Sequence, residues 1–535
     1  MQRIFSFLIL ISMQYNIICF AQPLIKQIQE TPVNRLALKY CENTLWWAGV
    51  IDKGNLMPIK EGFNVETDNN NYGNQVQPLM LSNNGELIWS DDPLSIFCTK
   101  DSLIVESKMG SVIYKKIGDN LKQAFQFASK AYFPASGRMP DKLLFSNPQY
   151  NTWIELKYDQ NQKDILHYAN AIISNGMPPG VLMIDDNWQE DYGKLNFHPG
   201  RFPSPKLMID SLHSKGFKVM LWVCPFVSAD CDVYRYLEKN NLLLKDSIGN
   251  TAIVRWWNGA SGLLDFTNPK SVKWFKGQLD FLVNEYHVDG FKFDAGDFHF
   301  YKNTISFEKV TSTKHTELYA QIGLDYPLNE YRAMWKMGGQ SLANRLSDKN
   351  HNWEDLQKLI PNMILEGLMG YTFSCPDMIG GGEVKSFSDD AAVDQDLIVR
   401  SAQCHALMPM MQFSVAPWRI LDKTHFDAVL KSVQLRERFK EYLLNTVKMS
   451  TISGEPILRS MEYDFPHNGY EQIKDQFLIG DSLLVAPVIE KNTSNRVVFL
   501  PKGNWISSDG KKIKGPKKLE IKVGLNSIPY FEKVK

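Results

Sequence analysis

Residues 286–297 place charged side chains at the end of a short apolar run. Residues 288–293 have the composition of a buried strand, and Asp294 follows them directly. Because side chains alternate along a strand, Lys292 and Asp294 point to the same face. A neighbouring cation lowers the pKa of a carboxylate and keeps it ionised. The pattern favours Asp294 as a nucleophile, although a structural ion pair at a strand end is an equally compatible interpretation.

A second acidic group follows another apolar run. Residues 181–184 are all apolar and lead into Asp185 and Asp186, with Trp188 close behind. Two acids in this position are costly to bury unless something binds them. Vicinal carboxylates accept hydrogen bonds from sugar hydroxyls, and an indole ring covers the C–H face of a sugar. A loop acid that caps the next helix is the alternative.

Several tryptophans occur at or near predicted strands, and we expect at least two of them to line a pocket. Trp153 lies in the first predicted strand, Trp222 ends the third, and Trp256 and Trp257 lie in a long loop. Each one taken alone is more typical of a protein core.

A nucleophilic carboxylate needs a partner that protonates the leaving group. The candidate is Asp348, in the polar segment 344–353 that opens a predicted helix. A solvated loop is the more common interpretation of such a segment. Asp377 is a further acid, placed after a predicted strand and before a glycine run.

The alternation of strands and helices after residue 147 predicts the fold. Strands are predicted at 153–156, 180–184, 217–223, 290–293, 331–335 and 371–374, and helices at 162–175, 205–215, 269–286 and 353–367. The uncharged segment 401–418 is interpreted as buried barrel strand and loop. Repeated units of this kind predict an α/β fold with a (β/α)8 TIM barrel over residues 147–450. A doubly wound open sheet is the alternative, but its glycine-rich first turn is missing.

The flanking regions have short strands separated by turn residues. This pattern predicts one β-sandwich over residues 22–146 and a second over residues 451–535. In the second, strands are expected at 476–479, 482–488, 496–500 and 519–523.

Composition excludes some classes of function. A chain of 535 residues should contain several domains. Basic and acidic residues number 59 each, so there is no surplus of positive charge for a nucleic acid backbone. The sequence contains no CxxC or HExxH motif, and we expect no metal or cofactor. The many aromatic residues suit a sugar-binding protein, and oligosaccharides or glycosides are the expected partners.

Residues 1–21 resemble a secretory signal peptide, because Arg3 precedes an apolar run and a weak small-residue site ends at Ala21. We therefore expect a secreted or periplasmic protein without a membrane span. Lipid attachment at Cys19 is a weaker alternative, since the bulky Ile18 precedes it. Cys224 and Cys231 could form a disulfide, but free buried thiols are expected.

Six motifs in order resemble glycoside hydrolase family 31, over about residues 85–530. They are the segments 184–188, 202–203, 216–222, 292–297, 377–381 and 476–481. Segments 330–335, 409–414 and 417–419 are similar to the branch that contains the animal myogenesis-regulating glycosidase, a branch associated with α-galactosidase activity.

The resemblance implies a retaining α-glycosidase that acts by double displacement. Asp294 matches the nucleophile of the family and Asp348 its general acid/base, and Asp377 resembles a supporting acid. The matching sugar-binding positions are Trp153, Asp185, Asp186, Trp257, Lys292 and Arg332.

Two positions depart from the family pattern. Asp297 stands where many relatives have Glu, and residues 345–348 read Arg-Leu-Ser-Asp instead of Trp-x-Gly-Asp. The double displacement needs carboxyl groups about 5–5.5 Å apart, with a low pKa for Asp294 and a higher pKa for Asp348.

The resemblance favours α-galactosides as substrates. An α-glucosidase, an α-xylosidase and a sulfoquinovosidase remain open within the same fold. A carbohydrate-binding protein with a catalytically decayed barrel is the non-enzymatic alternative.

Overall fold

Eight parallel strands form the central sheet of the computed structural model, which describes residues 33–40, 43–387 and 393–534. We number these strands β1 to β8: Gln149–Asn151, Val181–Ile184, Lys218–Val223, Gly290–Phe293, Leu328–Tyr331, Asn344–Arg345, Ser374–Cys375 and Gln412–Phe413. From β1 to β7 each strand pairs in parallel with the next one in sequence, and β8 pairs in parallel with β1. A parallel bridge from Met378 to Gln412 joins the segment after β7 to β8, so the sheet closes into a barrel.

The helices that alternate with these strands have ends fixed by local sequence. Pro269–Tyr286 begins after Asn268, whose side chain accepts from the Lys270 N–H, and it ends at His287 in the left-handed conformation. The other principal helices of this region are Gln162–Ser174, Pro205–Ser214, Asp232–Lys239, Ser312–Ile322, Trp353–Leu368, Gln395–Ala406 and Lys423–Ser453.

Shorter strands and helices connect the principal elements or lie in the flanking regions. The short strands are Gln189–Asp191, Lys194–Phe197, Phe226–Ser228, Ile253–Trp256 and Gly259–Leu263. The short helices are Ile51–Leu56, Leu143–Ser146, Trp153–Leu156, Phe298–Tyr301, Gly323–Asp325, Val384–Phe387, Pro417–Ile420 and Met461–Asp464.

The N-terminal region contains two sheets. The strands of the first are Arg35–Lys39, Asn64–Glu66, Leu94–Cys98 and Ser102–Ser107, and those of the second are Trp46–Val50, Gln75–Ser82, Glu86–Trp89, Ile113–Lys116 and Met334–Trp335. The helix Leu121–Tyr132 follows them. Met334–Trp335 comes from the loop after β5 and pairs in parallel with Gln75 and Val76. This pairing anchors the N-terminal region beside the carboxyl end of β5.

The C-terminal region forms one antiparallel sheet. Its strands are Leu458–Arg459, Phe477–Ile479, Leu483–Val485, Asn495–Ser507, Lys512–Lys522 and Tyr530–Val534. The long strand Asn495–Ser507 shifts register after Leu500 and pairs with two neighbours. Trp505 and Phe531 belong to a separate apolar core in this region.

Several predicted elements are corrected. Residues 153–156 are a helix and not a strand, because the Asn151 side chain accepts from the Trp153 N–H and turns the chain directly after β1. The strand predicted at 331–335 is divided between β5 and Met334–Trp335. The strand predicted at 371–374 begins only at Ser374, and part of segment 401–418 is helical.

Other expectations concern the leader and the cysteines. Residues 1–21, with Cys19, lie outside the described residues. Within the described ranges no helix has the length and apolarity to cross a membrane. Cys224 and Cys231 are both free and buried, so the alternative of a disulfide between them is wrong.

Candidate active site

A cavity of about 410 Å³ opens at the carboxyl ends of the barrel strands. All eight residues predicted for catalysis or sugar binding line it: Trp153, Asp185, Asp186, Trp257, Lys292, Asp294, Arg332 and Asp348. Tyr158, Trp222, Arg345, Met378, Glu383, Val384 and Lys385 complete the wall. The structure therefore brings the predicted residues together, while their roles stay predictions.

Asp294 directly follows β4 and is largely buried, with 8% of the residue exposed. Its Oδ2 accepts a hydrogen bond from Trp222 Nε1 at 2.7 Å, and its Oδ1 lies 3.3 Å from Arg332 Nε. Burial alone would raise the pKa of Asp294, but the charges of Arg332 and then Lys292 lower it. The carboxylate is therefore ionised and available for nucleophilic attack.

The direct cationic partner of Asp294 is Arg332 and not Lys292. Lys292 Nζ donates to Asp185 Oδ2 at 2.7 Å, and both side chains are at least 95% buried. Lys292 acts on Asp294 only through its charge. The sequence correctly placed both residues at one cavity but assigned the direct ion pair to the wrong cation.

Asp186 lies in a hydrogen-bonded network on the cavity wall. Its two oxygens accept from Tyr192 Oη at 3.0 Å and from Asn258 Nδ2 at 2.6 Å. Tyr158 Oη donates to Asn258 Oδ1 at 2.7 Å. Burial, followed by the charge of Asp185, raises the pKa of Asp186 to about 7. Near neutral pH this carboxyl can therefore donate or accept a hydrogen bond with a sugar hydroxyl.

Asp348 lies in the loop after β6, and one third of its side chain is exposed to the cavity (32%). Its Oδ1 accepts from Arg345 Nη1 at 2.7 Å. Burial would raise the pKa of Asp348, but Arg345 first, and then Lys292, lower it to about 2. The expectation of a high Asp348 pKa is therefore wrong for the ligand-free protein, because the arginine beside it stabilises the anion.

Asp377 supports the loop that carries Asp348. Its Oδ1 accepts from Arg345 Nη1 at 2.8 Å, and its Oδ2 accepts from the backbone N–H groups of Lys349 and Gly382 at 2.8 and 3.1 Å. Its backbone is in the left-handed region, at φ +87°. Burial raises the pKa of Asp377 to about 6, while Arg345 opposes the shift and the charge of Asp348 adds to it.

A loop of the N-terminal region forms part of the site. The Gly73 N–H donates to Asp297 Oδ1 at 3.0 Å, and Gln75 Nε2 donates to the Arg332 carbonyl at 2.7 Å. Asp297 Oδ2 in turn lies 3.2 Å from Arg332 Nη2. A Cβ at Gly73 would come within 2.8 Å of the Arg332 guanidinium, so only glycine allows this approach.

Two tryptophans line the cavity. Trp153 packs edge-on against Tyr158, with ring centroids 5.3 Å apart. Trp257 lies at the tip of the hairpin formed by Ile253–Trp256 and Gly259–Leu263, and the Arg332 guanidinium stacks over its ring at 4.9 Å. With 44% of the residue exposed, Trp257 can cover the face of a sugar.

Sequence reasoning missed Arg345 as a member of the site. It is 1% exposed and contacts Glu330, Asp348 and Asp377. The only signal was its departure from the family pattern three residues before Asp348. The loop around Gly73 was also missed, since its run of Asn and Gly predicts nothing more than a turn.

Family models match most of the chain. The model described as "Glycosyl hydrolases family 31 TIM-barrel domain" matches residues 139–446, and "Glycosyl hydrolase family 31 C-terminal domain" matches residues 454–534. The chain therefore belongs to glycosyl hydrolase family 31. This confirms the family and the barrel fold that the sequence motifs predicted.

Curated relatives agree with this assignment. The "Myogenesis-regulating glycosidase" of Mus musculus is 33% identical over 437 residues, which are 78% of this chain and 60% of that protein. "Alpha-glucosidase 2" of Bacillus thermoamyloliquefaciens is 26% identical over 438 residues, 75% of this chain and 54% of that protein. The chain thus spans only 54–60% of the length of these two relatives.

A solved structure shares the fold. The Flavobacterium johnsoniae GH31 dextranase FjDex31A, complexed with glucose, aligns with a TM-score of 0.83 and 21% identity, over 93% of this chain and 66% of that chain. This likeness extends beyond the barrel into the flanking regions of this chain.

Proposed function

We propose that this protein is a retaining α-glycosidase that hydrolyses terminal α-galactosides by double displacement. The observation that carries the proposal is the pairing of an ionised, buried Asp294 with a more exposed Asp348 on the wall of the same cavity. Carboxyl groups in these two roles are the common machinery of glycoside hydrolysis.

The first step forms a covalent intermediate. Asp294 attacks the anomeric carbon while protonated Asp348 gives its proton to the leaving oxygen. In the second step Asp348, now ionised, takes a proton from water, and the water oxygen displaces Asp294 from the anomeric carbon. Two displacements at one carbon return the α configuration.

The side chains of this chain have defined tasks in that reaction. Arg332 and Trp222 hold the Asp294 carboxylate at its two oxygens, which fixes the direction of attack. Asp185, held by Lys292, and Asp186 present oxygens to the hydroxyl groups of the sugar. The low pKa of Asp348 keeps it ionised in the ligand-free protein, so it must gain a proton before the first step.

The preference for galactose is supported by the branch motifs of the sequence and by the 33% identity to the mouse glycosidase. A pocket that pairs every buried polar group with a sugar hydroxyl discriminates strongly against a misplaced hydroxyl. Assaying the protein with nitrophenyl α-galactoside, α-glucoside, α-xyloside and sulfoquinovoside tests the preference. Fastest turnover of any sugar but galactose would replace the α-galactoside assignment.

Asp294→Asn tests the nucleophile. We expect it to abolish turnover of the best nitrophenyl glycoside while the protein stays folded, because an amide cannot form the covalent intermediate. Asp297→Asn is the matched control, since it also alters a carboxylate that contacts Arg332 but does not line the cavity. Normal turnover by Asp294→Asn would exclude the proposed role.

Asp348→Ala tests the acid/base. Its loss of rate should be far larger for alkyl glycosides than for nitrophenyl glycosides, because a nitrophenolate leaves without a proton. The anomer first released, followed by NMR, should be α. Equal losses on both substrates, or a β product, would contradict the mechanism.

A further inference from the structure

Arg345 is surrounded by more negative charge than it can neutralise. Its guanidinium contacts Asp348 at 2.7 Å, Asp377 at 2.8 Å and Glu330 at 3.3 Å. The side chains of Arg345, Asp377 and Glu330 are each at most 2% exposed. A buried group of three carboxylates around one arginine is costly unless protons or further cations balance it.

Two of these carboxylates converge on one nitrogen. Asp348 Oδ1 and Asp377 Oδ1 both accept from Arg345 Nη1, at 2.7 and 2.8 Å, so the two oxygens lie no more than about 5.5 Å apart. The space between them is also narrow, because a Cβ at Gly382 would lie 2.8 Å from each oxygen. Carboxylates this close, one of them fully buried, repel each other when both are ionised.

We propose that Asp377 is a positioning residue that shares one proton with Asp348 across Arg345, and that this proton is the one Asp348 gives to the leaving oxygen. The inference rests on the proposed function of Asp348 as the acid/base. It assigns to Asp377 a role beyond that of supporting the loop.

Asp377 suits this role better than Glu330. Glu330 lies against Nε on another edge of Arg345, and its Oε2 accepts from Gln412 Nε2 at 2.7 Å. Asp377 shares the Nη1 atom with Asp348. Burial raises the pKa of both Asp377 and Glu330, but the Asp348 charge adds to the shift only at Asp377. The two carboxyl groups therefore titrate as one pair, and the first proton that the pair takes up belongs to both.

The other charged groups around the pair come from three elements. Lys292 on β4 and Arg332 after β5 lower the pKa of Asp348, and Lys349 in the same loop lowers the pKa of Asp377. Asp294 after β4 acts on Arg345 from the cavity side. None of these groups is itself changed by Asp377→Asn, and the Asp377→Glu variant distinguishes loss of the carboxyl charge from displacement of the loop that Asp377 supports.

The proton balance closes over one turnover. Before the first step the pair takes up one proton from solvent through the exposed part of Asp348, and Asp348 passes this proton to the leaving oxygen as the bond to the anomeric carbon breaks. In the second step Asp348 takes a proton from the attacking water, which restores the one proton held by the pair. Neither an oxidant nor a co-reactant is needed.

The pH dependence of kcat/KM for Asp377→Asn tests the inference. An alkyl α-glycoside of the preferred sugar needs the acid, so in the wild type its kcat/KM should fall about tenfold per pH unit above the raised pKa of about 6. In Asp377→Asn, Asp348 faces Arg345 without the second carboxylate and loses its proton at lower pH. We expect the alkaline limb of the kcat/KM profile for the alkyl glycoside to move to lower pH by at least about one unit. The kcat/KM for nitrophenyl glycosides should change less than about threefold.

Glu330→Gln is the matched control. It removes another carboxylate beside the same arginine but leaves the two bonds to Nη1 unchanged. The alkaline limb of its kcat/KM profile should therefore move less than half as far as that of Asp377→Asn. Asp377→Glu restores a carboxyl group and should return the limb toward the wild-type position.

Three outcomes would overturn the inference. The first is an alkaline limb of the kcat/KM profile that Asp377→Asn leaves unmoved, and the second is a limb that Glu330→Gln moves as far as Asp377→Asn does. The third is a wild-type alkaline limb for alkyl glycosides that lies far from pH 6. The last needs no variant, so the test survives if Asp377→Asn fails to fold. Loss of the proposed function would show separately, as normal turnover by Asp294→Asn.

Discussion

Asn74 belongs to the N-terminal region, and replacing it with Ala should impair the proposed proton transfer by Asp348. Asn74 is 1% exposed, and its side chain holds the residue before Asp348. Its Oδ1 accepts from the Ser347 N–H at 3.0 Å, and its Nδ2 donates to Ser347 Oγ at 3.1 Å. These two bonds join the N-terminal loop to the loop that carries Asp348, the proposed proton donor.

The expected magnitude follows from the group left without a partner. In Asn74→Ala the Ser347 N–H loses its acceptor, which costs about 1–3 kcal/mol if the site stays closed to water. If this cost appears as displacement of Asp348, kcat/KM falls by about 5- to 150-fold, since each 1.36 kcal/mol is a factor of ten. The loss should be confined to substrates whose leaving group needs a proton.

The assay compares alkyl and nitrophenyl α-glycosides of the preferred sugar at one pH. Ser347→Ala is the matched control, because it removes only the hydroxyl and keeps the N–H bond to Asn74. Asn74 Nδ2 retains the carbonyls of Asn71 and Tyr72 as acceptors at 3.2 Å each. We therefore expect Ser347→Ala to lose less than about threefold on both substrates.

Equal losses on both substrate classes in Asn74→Ala would refute this reasoning, because the defect would then lie in binding or in the nucleophile. Unchanged kinetics with a lower melting temperature would show that the loop serves stability alone. Thermal unfolding of both variants distinguishes these cases.

Two further predictions concern buried groups. Trp222→Phe removes a hydrogen bond that helps to lower the pKa of Asp294, the proposed nucleophile. In a pH–rate profile the acidic limb of kcat/KM, where Asp294 becomes protonated, should therefore move to higher pH. Glu366 is fully buried, neither of its carboxyl oxygens has a hydrogen-bond partner among the described residues, and burial raises its pKa well above the usual value. The stability linked to the protonated Glu366 carboxyl is therefore present at low pH and lost as pH rises. Glu366→Gln should thus reduce the decline of the free energy of unfolding, measured with urea, between about pH 5 and 8. A decline as steep as in the wild type would contradict this.

The strand that ends in Asp294 could be predicted because its signal is local. Gly290–Phe293 and the helix Pro269–Tyr286 match the predicted bounds, since an apolar run and a capped helix follow from neighbouring residues. The same holds for Asp185, which follows β2 directly. Residues at the carboxyl ends of barrel strands are thus found by finding the strands.

The two-residue strands gave no such signal. Asn344–Arg345 and Ser374–Cys375 are too short for an alternating pattern, and their register depends on β5 and on each other. The segment around Asp348 was therefore predicted as loop. The position of this segment at the cavity follows only from the pairing of these short strands in the barrel.

The pKa of Asp348 could not be predicted from the sequence for a related reason. The sequence shows Arg345 three residues before Asp348, a spacing that in a loop carries no information about contact. The pKa of Asp348 depends on Arg345 reaching it at 2.7 Å while also binding Asp377 from the next strand. A tryptophan at position 345 could occupy the space but could not bridge two carboxylates, since the indole has one N–H donor. The arginine at position 345 therefore sets the charge environment of the proposed acid/base, and the pH profile of Asp377→Asn tests that effect.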